Sequence, residues 1–164
     1  MILIGIGGNL ATARYGAPRE TLTAALACLA ERRICILARS RWYRSEPVPP
    51  SAQPWFANAV AVVETALDPL ALLDALLALE KGFGRVRGQR NAPRPLDLDL
   101  LDYEGRLVDT ARLALPHPRL HERRFVLAPL AEVAPGWRHP RLGLGLRELL
   151  ARLPAEPRAE PFPD

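Results

Sequence analysis

The sequence lacks most of the features that classify a protein at a glance. It carries a single lysine, Lys81, beside 21 arginines. That lysine is not in a G-x-x-x-x-G-K-[ST] setting, so no phosphate loop is present. The N-terminal Gly5-Ile6-Gly7-Gly8-Asn9-Leu10 puts leucine where a dinucleotide fingerprint needs its third glycine, which excludes that class too. Its glycines read as a tight strand-to-loop turn. The two cysteines, Cys28 and Cys35, have neither the density of a disulfide scaffold nor the spacing of a metal site, and both are expected reduced and buried. No apolar run reaches the ~18 to 20 residues of a membrane helix. Even Leu67 to Leu79 is broken by Asp68, Pro69 and Asp74. The opening MILIGIGGNL has no basic region in front of it, so it reads as a first strand, and a cytoplasmic location is expected.

What remains describes one globular domain of 164 residues, 49% hydrophobic and 24% charged, with a core expected over 1–153 and a Pro-rich tail over 154–164. The net charge of +4, carried almost wholly by arginine, suits an anionic ligand. Arginine-rich composition is the competing explanation for most of these positions. Ile2 to Ile6 reads as a buried strand, Thr21 to Ala30 as a helix with Leu22, Leu26 and Leu29 on one side, and Ile34 to Arg44 as a second strand. Ser45 to Pro54 has four prolines and must be a loop. Trp55 to Glu64 follows as a strand antiparallel to its predecessor, and Asp68-Pro69 starts a helix running to about Gly82. A loop over Phe83 to Pro95 leads into a strand over Leu96 to Tyr103, then a short one over Arg106 to Val108. Helices are expected near Arg123 to Ala134 and Leu146 to Leu153, after which Pro154, Pro157, Pro161 and Pro163 prevent regular structure. The order strand, helix, strand, strand, helix, strand predicts an α+β fold: a ferredoxin-like split βαβ core, mainly antiparallel, with helices packed on the sheet.

The sharpest chemical signal is Leu96-Asp97-Leu98-Asp99-Leu100. Alternation sends Asp97 and Asp99 out of one face, about 6.5 to 7 Å apart, with the leucines on the other. Hard divalent cations such as Mg²⁺ relieve such a like-charge pair and bring phosphates with them. On the strand alone, aspartates bridged to neighbouring arginines are an equally available reading. Arg85, Arg87, Arg90 and Arg94 sit on the loop just upstream, where guanidinium forks can grip phosphate oxygens; an ordinary solvated basic loop is the alternative. His117, fixed between two prolines, can hydrogen-bond phosphate, whereas His121 and His139 read as surface residues. Phe56 and Asn58 share a strand face and together could hold a flat heterocycle, or be plain core.

Together these stretches resemble the 6-hydroxymethyl-7,8-dihydropterin pyrophosphokinase family: GIGGNL, Tyr43 to Val48, Gln53 to Val60, Glu80 with Gly84 to Arg87, Asn91 to Asp99, and Pro116 to Leu127. The resemblance implies transfer of pyrophosphate from ATP to a pterin hydroxymethyl group. It implies two Mg²⁺ on Asp97 and Asp99, and Arg85 and Arg94 as transition-state contacts. Glu80, Arg87, Arg112, His117 and Arg123 would serve the nucleotide. Phe56 and Phe125 would sandwich the pterin, with Asn58 and the segment Ser45, Glu46, Pro47 and Val48 reading its edge. Mobile loops would be Pro47 to Gln53 and Gly84 to Pro95. The chain departs from the family pattern at Asn91-Ala92, Pro95 and Ala114. The implied partners are small molecules, with neither nucleic acid nor membrane, and the implied state is a monomer. An RNA-binding module would need adjacent aromatics in an RNP1-like strand, and the sequence has none. A catalytically silent nucleotide sensor could dispense with Asp97 and Asp99, and both are present.

Overall fold

The structure, a computed structural model, describes residues 1–163; Asp164, the end of the tail, lies outside the described residues. The chain forms β1 (Ile2–Gly8), α1 (Pro18–Glu31), β2 (Cys35–Arg39), β3 (Tyr43–Ser45), β4 (Phe56–Glu64), α2 (Pro69–Gly82), β5 (Asp97–Tyr103), β6 (Val108–Asp109), β7 (Ala114–Leu115), α3 (Arg124–Val133), α4 (Leu146–Arg152) and β8 (Ala159–Pro161). The main sheet runs β5-β1-β4-β3-β8, with β2 beside the far end of β4, and its pairs are antiparallel. With β2 and β3 counted as one interrupted strand, the first four positions have the split βαβ order read from the sequence. The interruption falls at Ser40, whose hydroxyl accepts from Val60 N, so β2 and β3 share β4 without being continuous.

Both sheet faces are covered. Ile2, Ile4 and Ile6 of β1 and Leu98 and Leu100 of β5 meet Leu22, Leu26 and Leu29 of α1 and Leu72, Leu76 and Leu79 of α2. On the opposite face Leu3, Val60, Val62 and Leu101 pack on Val126, Leu127 and Leu130 of α3 and on Trp137, Leu146 and Leu149. This burial on both sides is why β1 and β4 read as nearly continuous apolar runs. α2 starts as its sequence predicts, with Asp68 accepting from Ala71 N at 2.9 Å and Pro69 in the first turn. On α3, Glu132 accepts from Tyr43 OH at 2.6 Å and from Arg41, tying the helix to β3.

Four expectations need correction. The tail is not devoid of regular structure: β8 pairs with β3, because prolines are tolerated on an edge strand whose outer N–H groups need no partner. The short strand after β5 is Val108–Asp109 rather than 106–108, its register set by β7. Cys35 is exposed, since β2 lies at the rim of the sheet. His139 is buried at 3% exposure, with Nδ1 accepting from Arg141 N and Leu142 N and its ring edge-on to Trp137.

Candidate active site

The site grows from the N-terminal end of β5. Leu98 and Leu100 are drawn into the core under α1 and α2, so Asp97 and Asp99 emerge on the other face, ahead of the region α3 covers. Arginines meet both. Arg85 Nη1 donates to Asp97 Oδ1, Arg94 Nη2 lies 2.9 Å from Asp97 Oδ2, and Arg123 Nη1 lies 3.3 Å from Asp99 Oδ2. His117 Nε2 is 4.0 Å from Asp99 Oδ1. Its Nδ1 accepts from Arg119 N, which leaves the proton of a neutral ring on Nε2, facing the carboxylate.

The environments push the two carboxyls apart. Burial raises Asp99, the Asp97 charge adds to it, and Asp99 rises to about 6. Burial also opposes ionisation of Asp97, but Arg94 and Arg85 outweigh it and hold Asp97 below the usual carboxylate range. Burial first, then Arg123, brings His117 down to about 4, so its ring is neutral near pH 7. Glu80 is 2% exposed and accepts from Leu98 N at 2.7 Å, Arg85 at 2.9 Å and Arg87 at 3.2 Å. Its carboxylate is thus fully engaged, anchored on the β5 backbone and orienting the two arginines. Arg112 pairs with Asp74 on the rim.

Three hollows meet at Asp97. The first, about 120 Å³, is lined by Gly7, Ser45, Glu46, Val48, Phe56, Asn58 and Phe125. Pro47 is buried and outside that lining. Asn58 Nδ2 donates to Ser45 Oγ at 2.6 Å. The second runs under the loop from Arg85 to Arg94 with Asp97, Asp99 and Arg123. The third, between α2, β5 and the segment from Thr110 to Pro118, takes in Glu80, Arg85, Arg87, Arg112 and His117. Arg94 and Arg123 join the aspartates to the first hollow: their guanidinium carbons lie 5.2 Å from the Phe56 ring and 5.6 Å from the Phe125 ring.

The sequence reading missed Asn9 and misread the glycines before it. Gly7 and Gly8 end β1 and are there for close approach, not for a turn. A Cβ on Gly7 would lie 2.8 Å from Asn58 Oδ1, and one on Gly8 only 2.4 Å from the Pro95 carbonyl oxygen. Asn9, 2% exposed, donates through Nδ2 to Gln53 Oε1 and Pro54 O, and accepts from Arg94 N. It clasps both long loops. A polar residue directly after a buried strand was the available signal.

The donor set fits hard divalent cations only in company. Two carboxylates supply oxygen ligands, yet among the described residues no group of three or more His, Cys, Asp or Glu is gathered to hold a metal. The remaining ligands must be water and substrate oxygens, the usual situation for Mg²⁺ on phosphates.

Comparison with known proteins decides the class. A family model described as 7,8-dihydro-6-hydroxymethylpterin-pyrophosphokinase (HPPK) matches residues 3–135. This chain belongs to the HPPK family. It is 46% identical over 158 residues to the 2-amino-4-hydroxy-6-hydroxymethyldihydropteridine pyrophosphokinase of Pseudomonas aeruginosa, covering 94% of this chain and 93% of that one. The enzyme of the same name from Synechocystis sp. is 41% identical, over 92% of this chain and 75% of its own. A solved HPPK-DHPS structure in complex with substrates shares the fold at TM-score 0.64 and 15% identity, over 92% of this chain and 42% of its own length. Every stretch that carried the resemblance lies inside the matched HPPK region. No helix of the described residues is long and apolar enough to cross a membrane.

Proposed function

We propose that this HPPK chain transfers pyrophosphate from ATP to the hydroxymethyl group of 6-hydroxymethyl-7,8-dihydropterin, in folate biosynthesis, and that the three hollows at Asp97 divide the work. The reacting hydroxyl oxygen gives up its proton to solvent and forms a bond to the β-phosphorus, the bond from that phosphorus to the α–β bridging oxygen breaks, and AMP leaves. The observation that carries this reading is the position of Asp97. It borders an aromatic and amide pocket on one side and arginine-lined grooves on the other.

Phe56 and Phe125 stack on the pterin, while Asn58, Ser45, Glu46 and Val48 meet its edge; Pro47 acts by shaping that segment. Arg112 and His117 take the nucleotide in the third hollow. His117 does so as a neutral donor, which avoids adding charge where Arg123 already lies. Asp97 and Asp99 would hold two Mg²⁺, which would supply charge neutralisation of the phosphates. The chain's own groups do the rest. Arg85 and Arg94 turn their forks to oxygens on which charge grows during transfer, and Glu80 sets the direction of Arg85 and Arg87.

The reading takes the protein to work as a cytoplasmic monomer on small-molecule substrates. Incubation with ATP, Mg²⁺ and hydroxymethyldihydropterin tests it. AMP and pterin diphosphate should appear in equal amounts, whereas ADP release or pterin-independent turnover would contradict it.

A further inference from the structure

The C-terminal segment lies beyond residues 3–135, the span matched by the family model, yet it reaches the heterocycle pocket. Leu153, Pro154, Glu156 and Pro157 line the same hollow as Phe56 and Asn58. Several bonds hold the segment there. Arg124 Nη2 donates to Leu153 O at 3.3 Å and Pro154 O at 2.9 Å. Arg158 donates to Glu46 from its backbone N and from Nη2, each at 3.4 Å, and Glu46 N returns a bond to Arg158 O at 3.3 Å. Ser45 pairs with Ala159, and Arg44 with Glu160.

These contacts change the status of β3. With β4 alone beside it, a three-residue strand would be an edge with one row of backbone groups unpaired. β8 pairs that second side, and the strand so fixed carries Ser45, the partner of Asn58, and leads into Glu46. Glu46 borders the hollow, and Arg158 offsets the charge of its carboxylate.

We propose that the segment from Leu153 to Pro161 is the outer wall of the pterin subsite and that Arg158 is a positioning residue for Glu46, so that this wall sets affinity for the pterin and not for the nucleotide. The proposal rests on reading that hollow as the pterin subsite. It adds to the pocket a wall that the motifs of the matched region do not include.

The test is calorimetric titration of Arg158→Glu with hydroxymethyldihydropterin and, separately, with a non-hydrolysable ATP analogue plus Mg²⁺. Turning the contact into repulsion should weaken pterin binding by about five- to tenfold while nucleotide binding stays within about twofold. In turnover, the KM for the pterin rises and kcat is retained. Arg158→Lys, which keeps the charge, should restore pterin affinity. Should Arg158→Glu fail to fold, Arg158→Met removes the pair without repulsion and carries the same expectation in direction. Amide exchange over 154–162 should slow when pterin is added and not when the analogue is added alone. Unchanged pterin affinity, or equal losses for both ligands, overturns the proposal. Phe125→Ala separates the two ways of failing. If it weakens pterin binding while Arg158→Glu does not, the wall alone is wrong; if neither does, the pocket assignment itself falls.

Discussion

Asp99 is a residue whose chemistry its surroundings change sharply. Its carboxyl is pushed up to about 6 from 3.8, chiefly by burial and then by the charge of Asp97. Without metal, the folded protein holds that proton more tightly than the unfolded chain. The contribution of Asp99 to stability is therefore greatest at acid pH and is lost as the pH rises from 3.8 to about 6. Asp97 has the opposite sign: its lowered value gives stability above 3.8 that is lost as the pH falls. We predict that Asp99→Asn nearly abolishes turnover yet raises the metal-free melting temperature near neutral pH, by a stabilisation on the order of 1 kcal/mol. Thermal melts in chelator from about pH 4 to 8 should show the wild type losing stability relative to the variant through this window, since the opposing contribution of His117 is common to both. For Arg94, Lys keeps the charge but loses the fork that spans Asp97 and the Phe56 ring. Arg94→Lys should cut kcat by about ten- to hundredfold while the Kd for an ATP analogue changes by under about threefold. Equal losses would mean ground-state anchoring. Residues such as Asp97, Asp99, Phe56 and Asn58 were legible because a period of two puts each pair on one strand face. Asn9 was not, because its partners Gln53, Pro54 and Arg94 lie 44, 45 and 85 positions away.

Among the elements, β1 shows how a strand end positions two loops at once. Its last glycine lies against Pro95, and the residue after it bonds Arg94 through N and Oδ1. A methyl on Gly8 would collide with backbone, which has no rotamer to escape into. Gly8→Ala should therefore displace Arg94 and Pro95 and lower turnover by more than about tenfold, with a destabilisation of about 1 to 3 kcal/mol by chemical denaturation. Gly7→Ala meets only the tip of the Asn58 side chain, so its main effect should be on pterin affinity. Normal kinetics in Gly8→Ala would show that the close approach has no bearing on the reaction. β1, β4, β5, the β2–β3 run taken as one strand, and the two long helices were readable from hydrophobic period, and the start of α2 from Asp68-Pro69. β8 was not. Three residues with a proline carry no strand period, and their pairing is settled by Tyr43, Arg44 and Ser45, more than 110 positions upstream.

At the scale of the whole molecule, a net charge of +4 coincides with a site where arginines surround two carboxylates. Exposed and half-exposed charges such as Arg87 and Arg112 are screened by salt, whereas stacking of a neutral ring on Phe56 and Phe125 is not. Raising ionic strength from roughly 0.05 to 0.5 M should weaken binding of the ATP analogue by about tenfold and leave pterin binding nearly unchanged. Parallel titrations at the two salts check this, and a matching loss for both ligands would deny that the nucleotide is held chiefly by charge and the pterin chiefly by stacking. The order of the central sheet followed from the sequence of elements alone. How the tail closes the sheet's outer side did not, since no local signal tells a proline-rich end whether a neighbouring strand has a free edge.

The arginines on Asp97 and Asp99 are already the counter-ions of those carboxylates. A cation arriving alone must displace them and leave several positive groups crowded together. A cation arriving with a polyphosphate gives those same groups somewhere to go. Metal and nucleotide affinities are then thermodynamically linked, each strengthening the other by one common factor. The Kd for Mg²⁺ should be far weaker for the free protein than for the nucleotide complex. The exchange of partners would also make the loop arginines available only when there is phosphate to receive them, so that the resting site holds its charges in reserve against itself.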